Sequence, residues 1–337
     1  LETLYVGGGT PSLLTADALA ALVATVERRY GLARDAEITL EVNPGPGERG
    51  DPAAWRRVGV TRLSIGAQSL QADELRRLGR RHRPEDVAEA VEEARAAGIP
   101  SLNLDLLYDI PGQSLTSWLS TLEAALALGP DHLSLYALTL DDPEAEGLTG
   151  PLGDHLPTRR GARRWREAAR RLQDEDRAAA MYHAAAVRLG DAGWFGYEIS
   201  SWARPGHPSR HNLLYWTRQP YEAVGPGAHA FDGRVRRWNA ASLEGYLAAL
   251  RPGWGIPPRL PPGGGEVVEG RAAWAEWLIL RLRTSLGVPD WAARRPPFRS
   301  VLPWARAAGL VASTPDGRIV LTLRGRLLSN ELFARLV

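Results

Sequence analysis

Leu4-Tyr5-Val6-Gly7-Gly8-Gly9-Thr10-Pro11-Ser12 is a short apolar run that breaks into three glycines. It reads as a β-strand ending in bare backbone N–H groups, with a helix just beyond. Ligands of α/β folds bind at that strand end, because no side chain blocks the approach and a helix N-terminus favours an anionic group. Taken alone, the three glycines read first as a plain tight turn. Recurrence of the same event down the chain is what turns them into a binding element.

Further strands are expected from β-branched and aliphatic runs at Glu37–Val42, Arg62–Ala67, Ser101–Tyr108 and His132–Leu138. Amphipathic helices are expected between them, at Ala16–Arg29, Asp51–Val58, Ala72–Arg80, Pro84–Ala97 and Leu115–Leu128. Thr15 is placed to cap the first helix, and Pro84 suits a first helical turn. Alternation of strand and helix implies a βα barrel or a doubly wound sheet. Each strand closes on a polar or special residue: Gly7–Thr10, Glu41 and Asn43, Gln68, Asp105 and Asp109, Thr139. A core strand gains nothing from burying a carboxylate or an amide, so the five ends read as one binding face.

A length of 337 residues allows a main domain and one or two smaller ones, and 44% hydrophobic content supports real cores. No apolar run approaches the roughly 18 residues of a membrane span, and no basic-apolar leader opens the chain. The net charge of +2 does not by itself argue for nucleic acid. With no cysteine, disulfides and thiolate ligands from this chain are excluded.

Beyond residue 140 the pattern loosens. Arg159–Arg171 is a dense basic run, read as a solvated helix face or, alternatively, a surface for an anionic partner. A helix is expected at Asp174–Leu189, a strand at Trp194–Ser201, and a linker at 252–265, too rich in Pro and Gly for helix or sheet. Helices at Arg271–Leu286 and Val301–Gly309, a hairpin around Pro315-Asp316-Gly317 and a last helix at Arg324–Leu336 suggest a winged-helix-like module. Lacking a basic recognition helix, it reads as an accessory or docking module rather than a DNA reader.

GGGTPS, EVNP (Glu41–Pro44), IGAQS (Ile65–Ser69), LGRRH (Leu78–His82), NLDLLYDIPGQ (Asn103–Gln113) and LSLYALT (Leu133–Thr139) occur in an order and spacing that resemble a known family. It is the oxygen-independent coproporphyrinogen III oxidase-like group of radical S-adenosylmethionine (SAM) proteins. YEISSWARPG (Tyr197–Gly206), HNLLYW (His211–Trp216), GPGAHAF (Gly225–Phe231) and LTLRGRLLSNELF (Leu321–Phe333) extend the resemblance over nearly the whole chain. The HNLLYW run resembles the distinguishing motif of the family's haem chaperone branch.

The resemblance implies a partial (βα)6 TIM-type barrel over residues 1–145, lacking its first βα unit. It also implies an α/β extension over 146–251 with the HNLLYW loop, and a winged-helix-like domain over 266–337. Gly8, Gly9 and Thr10 would meet the methionyl end of SAM, and Glu41 a ribose or amino group. Gln68, Arg80 and Asp105 resemble residues lining a second SAM position in the oxidases, and Phe231 an apolar wall near the adenine. In HNLLYW, His211 would suit a haem iron, with His183, His207 and His229 as rivals, and Tyr215 and Trp216 would stack on the porphyrin. On the residues alone, a loop in which His211 and Asn212 bond the backbone remains the alternative.

The implied function is cytoplasmic haem binding and delivery to acceptor proteins, membrane-associated ones included, with SAM as cofactor and a [4Fe–4S] cluster in the intact protein only. Oxidative decarboxylation of coproporphyrinogen III is the enzymatic alternative, and a degenerate SAM-binding docking module the third. The chain departs from the family in two places. It has no CxxxCxxC cluster loop and starts at what resembles the second strand, so truncation upstream of Leu1 and an open edge along the first strand are expected. Asp109 stands where the family has Gly, and is expected to place a carboxylate at the mouth that repels an anionic porphyrin.

Overall fold

In the computed structural model, which describes residues 1–140, 160–251, 260 and 262–337, the strand–helix alternation runs as the sequence pattern implies. The order is β1 (Thr3–Val6), α1 (Ala16–Tyr30), β2 (Glu37–Val42), α2 (Pro52–Val58), β3 (Arg62–Gln68), α3 (Ala72–Arg77) and α4 (Pro84–Ala96). Then follow β4 (Ser101–Tyr108), α5 (Leu115–Ala127), β5 (His132–Ala137), α6 (Arg160–Arg170), α7 (Glu175–Asp191), β6 (Phe195–Gly196), β7 (Ser201–Ala203) and α8 (Arg210–Trp216). The remainder is β8 (His229–Phe231), β9 (Val235–Asn239), α9 (Leu243–Leu250), β10 (Pro262–Val267), α10 (Gly270–Leu282), β11 (Val288–Pro289) and α11 (Asp290–Ala293). It closes with α12 (Phe298–Ala307), β12 (Val311–Ser313), β13 (Arg318–Leu321), α13 (Leu323–Leu327) and α14 (Ser329–Phe333). The expected boundary at 145/146, Arg159 of the basic run and residues 252–259 and 261 of the expected linker lie outside the described residues.

The chain divides into two compact units, Leu1–Leu138 with Leu172–His211, and Thr139–Arg171 with Asn212–Val337. In the first, β1 to β5 are parallel neighbours in sequence order, and an antiparallel ribbon, β7 then β6, extends the β5 side. Five parallel strands are what a six-unit barrel lacking its first strand would retain. β1 is the terminal strand at the other end of the sheet. Leu40, Leu63, Ile65, Leu102, Leu104 and Leu106 are buried along the sheet, under helices whose apolar stripes include Trp55, Val87 and Trp118. Local signals hold. Thr15 Oγ1 accepts from Ala18 N at 3.2 Å, Asp51 caps α2 and Pro84 opens α4.

Several expectations fail, each for a physical reason. The strand expected at Trp194–Ser201 is two short strands that pair with each other, β6 and β7, because the chain reverses between them. Residues 262–265, expected in a linker, open β10, which pairs antiparallel with β9. There a Cβ at Gly264 would overlap the Trp238 indole, so glycine is what lets the backbone lie flat on that ring. The last helix is split at Leu328 into α13 and α14, whose backbone there leaves the helical region (φ −106°, ψ 25°). HNLLYW lies not in a loop but in helix α8.

In the second unit, β11, β13 and β12 form a three-stranded antiparallel sheet. With α10, α11 and α12 it has the helix–strand–helix–helix–hairpin order of a winged-helix-like module.

Candidate functional site

Parallel strands send their C-terminal ends to one side of the sheet, and there the first unit holds a cavity of about 520 Å³. Gly9, Thr10, Glu41, Gln68, Arg80 and Asp105 all line it, together with Tyr5, Asn43, Ser64 and Tyr136. Six residues singled out at or just after four strand ends thus meet round one space. The lining mixes acceptors and donors: two carboxylates, one guanidinium, two amides and four hydroxyl-bearing side chains among them. Such a wall suits a small zwitterionic or polyhydroxyl ligand better than an apolar one.

The geometry at the mouth is built by short-range bonds between strands. Glu41, at the end of β2, accepts from the Tyr5 hydroxyl through Oε1 at 2.7 Å and from Gly8 N through Oε2 at 2.9 Å. Gly8 therefore does not line the cavity. Its amide is engaged by Glu41, and the loop presents Gly9 and Thr10 instead. Gly8 and Gly9 have φ of +85° and +37°, and a Cβ at either would meet no atom within 4 Å, so the loop backbone stands open to a ligand. Thr10 Oγ1 accepts from Asn43 Nδ2 at 3.2 Å, and the same amide donates to Glu48 Oε2 at 3.0 Å.

Asp105 sits at the end of a chain of inward side chains. Its Oδ1 accepts from Asn103 Nδ2 at 2.8 Å and its Oδ2 from Ser64 Oγ at 2.9 Å. Desolvation pushes its carboxyl above the ordinary range, against the pull of those hydrogen bonds. Gln68 takes a left-handed backbone, φ 64°, where the β3–β4 register shifts. Residues held there cluster at functional positions.

Asp109 corrects an expectation. It is buried, its backbone is left-handed (φ 54°), and Oδ1 accepts from Arg177 Nη2 at 2.9 Å. The carboxylate is neutralised by α7 and is absent from the cavity lining, so it repels nothing at the mouth.

Other motif residues prove structural. Glu74 of α3, almost wholly buried, accepts from Ser69 Oγ at 2.6 Å, Gln113 Nε2 at 3.0 Å and Ser117 Oγ at 2.6 Å. Ser69 and Gln113 therefore tie IGAQS to DIPGQ through one satisfied carboxylate.

In the HNLLYW segment, His211 belongs to the first unit. Its Nδ1 and Thr3 Oγ1 are 2.8 Å apart, and its ring stacks on Tyr5 with centroids 5.1 Å apart and planes at 27°. His211 thus packs on the sheet face that carries the Thr3 and Tyr5 side chains. Glu37, at the start of β2, accepts from the backbone N–H of both Arg210 and His211 at 3.0 Å each, which starts α8. Burial lowers the His211 pKa, while Glu37 opposes the shift.

Tyr215 and Trp216 belong to the second unit. Tyr215 meets Tyr221 edge-on at 4.6 Å, and burial pushes its hydroxyl up to about 12. Trp216 lies under the Arg283 guanidinium at 4.4 Å, and its buried Nε1 has no acceptor among the described residues. Phe231 is buried in that unit too, with the Arg218 guanidinium over its ring at 4.5 Å. Among the rivals, His207 Nδ1 lies 3.2 Å from Ser101 Oγ, and His229 stacks on Trp238.

Sequence reasoning missed Tyr5 as a site residue, having read it as part of an apolar run. Ser64 was missed as well, though it shares a strand face with Gly66, which also lines the cavity.

The family model for the radical SAM superfamily matches residues 1–125. The chain is 37% identical over 340 residues to a protein named heme chaperone HemW of Mycobacterium tuberculosis (strain CDC 1551 / Oshkosh), covering 100% of this chain and 81% of that protein. It is 38% identical over 241 residues to heme chaperone HemW of Escherichia coli (strain K12), covering 70% of this chain and 59% of that one. Among solved structures it resembles coproporphyrinogen III oxidase (HemN) from Escherichia coli, described as a radical SAM enzyme. The TM-score is 0.78 at 22% identity, over 100% of this chain and 77% of that one, a likeness of fold.

Proposed function

The chain belongs to the heme chaperone HemW family of radical SAM proteins, and we propose that it binds haem through the HNLLYW segment, binds SAM at the strand-end cavity, and hands haem to acceptor proteins. The observation that carries this reading is the 37% identity to a heme chaperone along the whole chain.

The cavity fits SAM chemically. Open glycine backbone at Gly9, the Thr10 hydroxyl, the Glu41 and Asp105 carboxylates, the Gln68 amide and the Arg80 guanidinium can together meet an amino acid end, a ribose and a sulfonium. For haem, cargo rather than resident cofactor, His211 supplies an imidazole already oriented by Thr3. A thiolate-held [4Fe–4S] cluster does not fit this chain, which has no cysteine, so the reading rests on SAM and haem alone.

The test is haemin titration followed by the Soret band, beside equilibrium dialysis of labelled SAM. A saturable Soret change that His211→Ala alters, and SAM retention that Asp105→Asn and Arg80→Ala weaken, are the expected results. Non-saturable haemin uptake unaffected by His211→Ala overturns the haem half. SAM retention indifferent to both cavity variants overturns the other.

A further inference from the structure

We infer that Tyr5 is a positioning residue that makes the strand-end cavity and His211 sense one another. The inference rests on the reading above for what each end binds, but the connection itself lies in the first unit. Tyr5 is the only described residue that lines the cavity and also stacks on His211.

Its two ends do different work. The hydroxyl donates to Glu41 Oε1 at 2.7 Å, and Glu41 Oε2 holds Gly8 N at 2.9 Å. The ring carries His211 at 5.1 Å, and the Thr3 hydroxyl fixes the imidazole from the other side at 2.8 Å. An ammonium or hydroxyl of a ligand in the mouth must share Glu41 with Tyr5 and Gly8, since a carboxylate offers only about four acceptor positions.

Steric contact makes the link stiff. A Cβ on Gly7 would lie 2.6 Å from Tyr5 Cε1 and 2.9 Å from Glu41 Oε1, so the ring is packed onto the glycine backbone with room for a hydrogen and no more. The glycine loop and the Tyr5 ring therefore move as one body. Burial, reinforced by Glu41, raises the Tyr5 pKa, so its proton stays in this bond at any working pH. A change at Glu41 reaches the imidazole through one hydrogen bond and one stacked contact. By linkage, haem at His211 acts back on the mouth equally.

The experiment is a double-mutant cycle on the full chain: wild type, Glu41→Gln, Tyr5→Phe and the pair. One readout is the haemin Kd from the Soret band. The other is the His211 imidazole NMR signal without haemin, assigned by its loss in His211→Asn. Phenylalanine keeps the stacking ring and deletes only the hydroxyl. With Tyr5 in place, Glu41→Gln should change Kd about 5-fold or more, the lower end of ordinary coupling, and shift the imidazole resonances. Added to Tyr5→Phe, it should do neither.

Equal effects of Glu41→Gln with and without the Tyr5 hydroxyl, or an imidazole that it leaves unmoved when Tyr5 is intact, overturn the inference. If His211→Asn itself leaves Kd unchanged, the haem reading fails, while the imidazole signal still decides the link. Glu41→Asp keeps the charge but withdraws it from the hydroxyl, and replaces the Gln variant in the cycle if that does not fold.

Discussion

Glu37→Ala should unfasten the start of α8 from the N-terminal end of β2, the end of that strand away from the cavity. Glu37 pairs in register with Thr3 across β1 and β2, and its two carboxylate oxygens accept from Arg210 N and His211 N at 3.0 Å each. Helix-initial amides have no intrahelical acceptor, so removing this carboxylate leaves two donors to water or to nothing. Hydrogen bonds to a charged group contribute roughly 1.5–3 kcal/mol net, and loss of a helix cap costs about 0.5–2 kcal/mol. The site is half-buried, so water recovers part of the loss, and about 2 kcal/mol is the expected cost. Glu37→Gln keeps one acceptor oxygen and should cost about 1 kcal/mol.

Because the chain holds two units, a global melt need not be two-state, and local hydrogen exchange is the cleaner assay. In Glu37→Ala the Arg210 and His211 amides should exchange roughly 30-fold faster, the equivalent of about 2 kcal/mol at about 1.4 kcal/mol per decade. Amides of β3 and β4 should be unchanged. Exchange at Arg210 and His211 within roughly twofold of wild type would refute the claim that Glu37 starts this helix.

Two further outcomes follow from buried ionisable groups. His132 is buried between Asn103 Oδ1 (2.6 Å) and the Tyr197 hydroxyl (2.8 Å), and desolvation, then Arg62 and His207, hold its pKa well below the ordinary value of 6.5. The unfolded chain takes up the proton first as pH falls. Its contribution is thus complete above about pH 6.5 and is lost below it, at about 1.4 kcal/mol per pH unit, down to the folded-state pKa. Urea midpoints should drop from about pH 7.5 to about pH 5.5, and His132→Asn, less stable at neutral pH, should flatten that slope; an equally steep slope contradicts the assignment. At Asp109, glycine relieves a left-handed backbone while asparagine does not, and both remove the Arg177 pair. Asp109→Asn should therefore lose about 1–2 kcal/mol, and Asp109→Gly about 1 kcal/mol less than that, by thermal melts; a Gly variant less stable than the Asn variant counts against it.

By itself the sequence determined the five parallel strands, their helices and the mouth they form. Those depend on periodicity, caps and strand-end residues, signals carried within a few positions of one another. Glu37–Val42 and Ser101–Tyr108 fall where the apolar runs put them. Gly9, Thr10, Glu41, Gln68, Arg80 and Asp105 meet because parallel strands must present like ends together. Motif order also identified the family, since six short patterns in sequence constrain far more than any one.

Tertiary structure decided what depends on partners distant in the chain. Asp109 was legible as a carboxylate near a strand end, but its neutralisation waits on Arg177, 68 positions later. HNLLYW reads as a loop in the sequence, and its helix is started by Glu37, some 170 positions earlier, which accepts its first amides. Tyr5 looked like strand filler because its two roles, a hydroxyl on Glu41 and a ring under His211, exist only once β2 and α8 are packed against β1. Local pattern sets which face a residue takes, whereas the charge, acceptor or ring that face meets is set by packing between segments that no periodicity connects.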